Sequence, residues 1–305
     1  MRLAVFGSAN FDYLVSTPAP PAAGLRQIAS AMGRRAGGQG LNQAVAAARL
    51  HSDVSFTGCV GDDENGAAIR AALIAEGLDA TTLAVIEGTA TGTAYVMLAE
   101  SGHSITVDPG ANLLLPDQAI SDVFSAIDRP GVILVQGELG TALIARIVEA
   151  AGTARIVANL APIVPLDETV FSRLDPVVVN RAEAATLTDA PVETVGDGVR
   201  AAEALAARTR SAVVTLGEHG AVWATASRSA HVAPRRRAHV VDVSGAGDGF
   251  SGAIAAGIAR GLDLADAVAF GVDAALLIVE RTGVLDSLPR TTEVDALRSE
   301  TRPGS

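Results

Sequence analysis

The sequence has no lysine: all 23 of its basic side chains are arginine, from Arg2 to Arg302. A phosphate-binding loop of the GxxxxGK[ST] type is therefore excluded, as is Schiff-base chemistry, which needs a side-chain amine. The Lys–Glu pair of the protein kinases is excluded with them. Cysteine is almost as scarce. Cys59 is the single one, so no internal disulfide can form, and a reducing compartment is expected. It lies in the apolar run Val54–Val60 without a flanking histidine, which fits a buried thiol rather than a nucleophile. Positive charge is in the minority, 23 basic against 34 acidic residues for a net charge of −11, which argues against nucleic acid and anionic membranes as partners. No apolar stretch approaches the ~18 residues of a membrane helix. The apolar N-terminal run is interrupted by Asn10 and Asp12, too soon for the core of a signal peptide. The sequence thus predicts a cytoplasmic protein.

What is present is a large core: 49% of the 305 residues are hydrophobic, enough for one large α/β domain, alone or with a small appendage. Short apolar runs alternate with helical patterns. Strands are predicted at 3–7, 54–60, 132–135, 155–159, 177–179 and 212–216, and a hairpin at 222–232. Helices are predicted at 41–50, 65–76, 141–151, 181–187, 198–208, 247–260 and 263–281. Doubly apolar strands between amphipathic helices indicate a mostly parallel sheet covered on both faces. Residues 82–87 and 93–99 read as two strands joined by a turn. Two segments, approximately 11–36 and 88–108, are β-like or irregular and suggest a lid on a single domain spanning 1–305.

The strongest chemical signal is Asp242-Val243-Ser244-Gly245-Ala246-Gly247-Asp248. Small residues leading directly into a helix let backbone N–H groups converge, and the helix dipole adds positive potential, which makes an anion hole. Asp248 in the first turn is placed to take a proton from an attacking hydroxyl, or else is only a favourable first-turn acid. A second cluster, Gly37-Gly38-Gln39-Gly40-Leu41-Asn42-Gln43, also opens a helix; it is either a ligand approach or a tight turn. Neither cluster has the spacing of a dinucleotide fingerprint. Asn10, Asp12, Glu138, Asn159, Asn180, Glu183 and the run Thr215–Gly220 follow predicted strands, where open α/β sheets bind ligands. Together they suit a polyhydroxyl ligand and Mg²⁺, although each alone is an ordinary loop cap. The five histidines lack metal-ligand spacing. Arg235-Arg236-Arg237 reads as a solvated loop and Arg34-Arg35 as exposed lid charges, with a role for the latter beside a substrate left open.

Taken in order, these blocks resemble the PfkB carbohydrate-kinase family over nearly the whole chain. Gly7-Ser8-Ala9-Asn10-Phe11-Asp12 is similar to the family's first sugar-binding strand end, Gly37–Ala48 to its first signature and Asp242–Asp248 to its second. Gly110-Ala111-Asn112, Gln136-Gly137-Glu138, Asn180 with Glu183, and Thr215-Leu216-Gly217 with Gly220 match further family blocks. The resemblance implies a ribokinase-like three-layer αβα sandwich with a small β-sheet lid, forming a homodimer through that lid. It implies MgATP-dependent phosphorylation of a sugar hydroxymethyl group, with D-ribose to ribose 5-phosphate first. Fructose, deoxyribose, nucleosides and pseudouridine are alternatives, and so is a non-catalytic sugar-binding regulator.

The resemblance also implies residue roles. Asp248 would be the base, with Gly245, Ala246 and Gly247 as the anion hole. Asn10, Asp12, Gly38, Gln39, Asn42 and Glu138 would hold the sugar. Asn180, Thr215, Leu216, Gly217, Gly220 and Gly247 would bind ATP, and Glu183 would act on Mg²⁺ through water. A K⁺ site would use Asp242, Ser244, Ile278, Arg281, Gly283 and Ser287. Gln39 departs from the family, which commonly has lysine there, and so bears on sugar choice.

Overall fold

The first strand, β1 (Leu3–Phe6), shows how the layers arise. Leu3 and Val5 are buried in one core, and Ala4 and Phe6 in the other, so the strand is apolar on both faces. The computed structural model describes residues 1–300 except Pro21, Leu25, Glu100, Ser101, Ile127 and Asp128. Four of these fall in the predicted lid segments, whose readings at those positions lie outside the described residues.

The remaining strands are β2 (Asn10–Ser16), β3 (Ala31–Gly37), β4 (Val54–Gly61), β5 (Leu83–Ile86), β6 (Gly92–Ala99), β7 (Gly102–Asp108), β8 (Val132–Gln136), β9 (Arg155–Asn159), β10 (Leu174–Asn180), β11 (Ser211–Thr215), β12 (Ala221–Thr225) and β13 (Ser229–Val232). The nine-stranded sheet runs β13-β12-β11-β10-β9-β8-β1-β4-β5. It is parallel except for the terminal hairpin, where β12 runs against β11 and β13 against β12. The helices are α1 (Gln39–Leu50), α2 (Glu64–Ala75), α3 (Asp117–Ser125), α4 (Gly140–Ala150), α5 (Glu168–Phe171), α6 (Arg181–Thr188), α7 (Val195–Ala206), α8 (Ala246–Ala259), α9 (Leu264–Ile278) and α10 (Thr291–Ser299). Buried residues of α1, α2, α8 and α9 pack on the Leu3/Val5 face, and those of α3, α4, α6 and α7 on the Ala4/Phe6 face. This is the three-layer αβα sandwich with a mostly parallel sheet that the sequence predicts. Among the described residues, no helix is long and apolar enough to cross a membrane.

A second, four-stranded sheet, β3-β2-β6-β7, comes from residues 10–37 and 92–108. Within it β2 and β6 are parallel and the other pairs antiparallel. The two strands expected at 82–87 and 93–99 are present as β5 and β6 on either side of a short connection, and they belong to different sheets. Leu83–Ile86 extends the main sheet beside β4, and Gly92–Ala99 enters the lid. The connection crosses close over the end of β4, where a Cβ on Gly61 would lie 2.0 Å from the Thr89 carbonyl. Thr91 fixes the crossing through Gly61 N–H at 2.9 Å and Asp63 Oδ2 at 2.9 Å.

Of the run Arg235–Arg237, expected as a solvated loop, Arg236 and Arg237 are exposed, but Arg235 is half-buried. Arg235 Nε donates to both oxygens of buried Asp273, at 2.9 and 3.1 Å, and Arg298 reaches Asp273 Oδ2 at 3.2 Å. Arg236 and the His239 amide bind Glu280, and the hydrogen bond from Arg236 is the main cause that brings the Glu280 carboxyl down to about 2. The segment before Asp242 is therefore tied to α9 at Asp273 and to the turn just after that helix at Glu280. Cys59 is buried as expected, and burial pushes its thiol up to about 12.

Candidate active site

Two glycines bring α1 onto the end of β1. Gly38, at φ 93°, is the residue before α1, and a Cβ there would lie 2.7 Å from the Asn10 amide. A Cβ on Gly40 would lie 2.4 Å from the Gly7 Cα. With side chains absent at both points, Leu41 N–H reaches the Ser8 carbonyl at 2.9 Å. The opposite side of α1 packs against α8 at similar range: a Cβ on Gly252 would lie 2.6 Å from the Gln43 carbonyl. Small residues on both helices thus carry Asn42 and Gln43 to the first turn of α8.

There they meet Asp248. Asn42 Nδ2 donates to Asp248 Oδ2 at 2.9 Å, and Gln43 Nε2 donates to Oδ1 at 3.0 Å. Burial raises the Asp248 carboxyl to about 7; the two amide donors oppose the rise, and the charges of Glu138 and Asp12 add to it. The turn before α8 uses Gly245 at φ 74°, and Ala246 N–H donates to the Val243 carbonyl at 3.2 Å. A Cβ on Gly247 would meet nothing within 4 Å, so open space faces the helix start. A carboxyl with a pKa near neutrality beside a helix N-terminus can accept a proton from a group that attacks a bound anion.

On one side of Asp248 lie the predicted sugar residues. Asn10 Oδ1 accepts from Asn112 Nδ2 at 2.7 Å, and Asn112 Oδ1 accepts from the Ala9 amide at 2.8 Å. Asp12 and Arg35 form an ion pair, and burial lifts the Asp12 carboxyl to about 6. Glu138 accepts from the Ser8 hydroxyl and from Gln39 N–H at 3.4 Å, and burial raises its carboxyl. Gln39 Oε1, Asn42 Oδ1 and Gln136 Oε1 are buried amide oxygens without a hydrogen-bond donor. Three acceptors waiting for donors suit a ligand rich in hydroxyl groups.

On the other side are the predicted nucleotide and cation residues. Asn180 and Glu183 form the capping box of α6: Asn180 Oδ1 accepts from Glu183 N–H at 3.0 Å, and Glu183 Oε2 accepts from Asn180 N–H at 2.7 Å. Thr215 ends β11, and a short 3₁₀ turn follows, with Gly217 at φ 61° and Gly220 at φ 83°. Leu216, also expected on the ATP side, holds the turn in place. Its side chain is buried in the core against Gly198, its N–H donates to the Gly220 carbonyl at 2.7 Å, and its own carbonyl accepts from Arg181 at 2.9 Å. All its groups are engaged in holding the turn.

Asp242 joins two loops, accepting from Ser244 N–H at 2.9 Å and Gly283 N–H at 3.0 Å; these bonds hold its carboxyl below the usual range against the opposing effect of burial. The Ile278 carbonyl accepts from Arg281 N–H at 3.0 Å, and the Ser287 hydroxyl donates to the Val284 carbonyl at 2.8 Å. The Arg281 guanidinium reaches both the Ser287 carbonyl, at 3.5 Å, and Glu293.

Residues 1–291 match the pfkB family of carbohydrate kinases. The chain belongs to this family. This pfkB kinase is 31% identical over 300 residues to a ribokinase of Bacillus subtilis, covering 98% of this chain and 99% of that protein. It is 32% identical over 294 residues to a deoxyribokinase of Salmonella typhi, covering 95% and 96%. Its fold matches the structure of Arabidopsis thaliana ribokinase complexed with ribose and ATP, with a TM-score of 0.88, 27% identity and coverage of 98% and 99%. Sequence reasoning gave no individual role to Gln43, which bonds Asp248, or to its partner Gln136, and took its other partner, Asn159, only as one of the polar residues after the strands; the signal for Gln43 was its place beside Asn42 in the first signature.

Proposed function

We propose that the protein is an ATP-dependent pentose kinase, transferring the γ-phosphoryl group of ATP to the hydroxymethyl oxygen of D-ribose to give ribose 5-phosphate. The carrying observation is Asp248, held by Asn42 and Gln43 at the start of α8 beside three buried amide oxygens that lack donors. The ribokinase relatives support the acceptor, and the ribose and ATP in the Arabidopsis enzyme support both substrates.

In this reading Asp248 takes the hydroxyl proton as the sugar oxygen bonds to the γ-phosphorus. The bond to the β,γ-bridging oxygen breaks, and ADP leaves with that electron pair. The helix start at Gly245, Ala246 and Gly247 carries the charge of the transferring group through backbone N–H groups and the helix dipole. Asn10, Asp12, Gly38, Gln39, Asn42 and Glu138 hold the sugar, and Asn180, Thr215, Gly217 and Gly220 line the ATP side.

Mg²⁺ fits Glu183 through water, since Oε2 is committed to the helix cap and the other oxygen has no partner among the described residues. Among the described residues, no group of three or more His, Cys, Asp or Glu side chains could hold a metal ion, so a cation here rests on carbonyls and waters. K⁺ fits beside Asp242, Ser244 and Gly283, with carbonyls of Ile278, Arg281 and Ser287. When bound, these cations offset phosphate charge. The exposed lid side chains Met32, Tyr95, Ile105 and Val107 suit a homodimer through the lid, and a cytoplasmic location accompanies the use of ATP.

Deoxyribose is the second reading, favoured by the Salmonella relative and by neutral Gln39 at the sugar end. Turnover of ATP across ribose, deoxyribose, fructose, nucleosides and pseudouridine tests the proposal. Ribose is expected to give the highest kcat/KM. Binding without turnover of any member would favour a sugar-binding regulator instead.

A further inference from the structure

Behind Asp248 lies a chain of amides that reaches across three strands of the main sheet. Gln136 Nε2, at the end of β8, donates to Gln43 Oε1 at 3.1 Å. Gln43 Nε2 donates twice, to Asp248 Oδ1 at 3.0 Å and to Asn159 Oδ1 at 2.9 Å, and Asn159 ends β9. Asn159 Nδ2 donates to the Val178 carbonyl of β10 at 3.2 Å. Gln43 and Gln136 are completely buried.

The orientation of this chain is fixed. A side-chain amide can in general turn end for end, exchanging its oxygen and nitrogen. Here the Val178 carbonyl, which also accepts from Leu160 N–H, can meet the Asn159 amide only at its nitrogen, so Asn159 must face Gln43 with its oxygen. Gln43 must then face Asn159 with its nitrogen, and its oxygen is left for Gln136. A reversed Gln43 would set its oxygen against both Asp248 Oδ1 and Asn159 Oδ1, and its nitrogen against the Gln136 nitrogen. A backbone carbonyl two side chains away thus obliges Asp248 Oδ1 to stay an acceptor.

We infer that Gln43, backed by Gln136 and Asn159, is the positioning residue for the base: it pins Asp248 Oδ1 inward and assigns proton acceptance to Oδ2. Oδ2 meets only Asn42 among the described residues, and Asn42 keeps its own oxygen unfilled on the sugar side. The hydroxyl proton passes to Oδ2 while Oδ1 keeps its bond to Gln43, so the carboxyl need not rotate during transfer. This rests on the reading of Asp248 as the base. The charged groups that bear on the carboxyl are Glu138, after β8, and Asp12 on β2. The groups from α1, β8 and β9 in the relay are neutral amides.

The test compares the parent with Gln43→Met and Gln136→Met, which keep side-chain length and lose the donors. The Asp248 carboxyl titration is followed by ¹³C NMR, with its signal assigned by its loss in Asp248→Asn. Losing one buried donor to the carboxylate shifts the midpoint upward by about one pH unit in Gln43→Met. A smaller shift in the same direction is expected in Gln136→Met, which touches Asp248 only through Gln43. With ribose, kcat falls about tenfold in Gln43→Met and its acid limb moves to higher pH, while KM stays within about threefold. Titrations superimposable on the parent in both variants would overturn the inference. If Gln43→Met fails to fold, Gln136→Met carries the same test. If the parent turns over no sugar, the functional reading fails while the titration still reports on the relay.

Discussion

Asp12 on β2 and Arg35 on β3 stand directly opposite each other in the lid sheet, with the guanidinium Nε 3.7 Å from the carboxylate Oδ2. At that range the contact is an ion pair rather than a hydrogen bond. Burial pushes Asp12 up to about 6, and the Arg35 charge works against it while Glu138 adds to it. Removing the cation leaves burial and Glu138 unopposed. Arg35→Met is therefore expected to raise the Asp12 pKa further, so that the charged form appears only at higher pH. Ribose KM should rise about tenfold near neutrality, and its pH dependence should move in the alkaline direction. A KM–pH curve identical to the parent's would show that Arg35 does not control Asp12.

Asp248→Asn should lower kcat by at least about 10²-fold while sugar binding persists by calorimetry. The substitution is accommodated because Asn42 can turn and offer its unfilled oxygen to the new amide. Near-normal turnover would remove Asp248 from the role of base.

The same variant separates function from stability. The Asp248 carboxyl sits at about 7 in the folded protein against an ordinary 3.8, so the folded state holds that proton more tightly than the unfolded chain. Stability is present while the group is protonated and is lost as pH rises through the folded value. Asp248→Asn should match the parent at acid pH and gain in melting temperature as pH passes from about 4 to about 7. A melting difference that does not depend on pH would contradict this.

Two glycines should respond oppositely to alanine. A Cβ at Gly40 meets backbone at 2.4 Å, so Gly40→Ala is expected to destabilise by about 1–3 kcal/mol in urea unfolding. A Cβ at Gly247 meets nothing within 4 Å, so Gly247→Ala should fold like the parent. The added methyl would stand where the phosphoryl group is expected, so turnover should fall with stability unchanged. Equal activity for Gly247→Ala and the parent would move the phosphate away from the start of α8.

Cation dependence is the fifth expectation. Chelation of divalent ions should abolish turnover, and replacing Na⁺ by K⁺ should raise kcat through the site beside Asp242. Identical rates in the two monovalent salts would exclude that site as an activator.

The apolar run of β1 and the glycine-rich starts of α1 and α8 were legible because each is a local pattern. Asn42 and Asp248 could be named from such patterns alone. The relay was not legible, because Gln43 and Asn159 are 116 residues apart and meet only through the order of the parallel strands. The strands at 83–86 and 92–99 were legible as strands, but not the sheets they join: short apolar segments look alike whether they extend a body or enter a lid. Arg235 read as solvated because its partner, Asp273, lies within α9 and not nearby in the chain.

The lid meets the body along one row of residues and again where Phe11, Tyr13 and Ala36 pack against the main core. Asn10 faces Gly37 on one side and Gly92 on the other, and Asp108 faces Thr93 one step away. At the centre of this row the Asn10–Asn112 hydrogen bond crosses Gly92, where a Cβ would lie 2.2 Å from Asn112 Nδ2. Asp12 and Arg35 belong to the four-stranded sheet on one side of this seam, and Glu138 and Asp248 to the body on the other. A ligand held by Asp12 and facing Asp248 therefore spans the join between the two sheets.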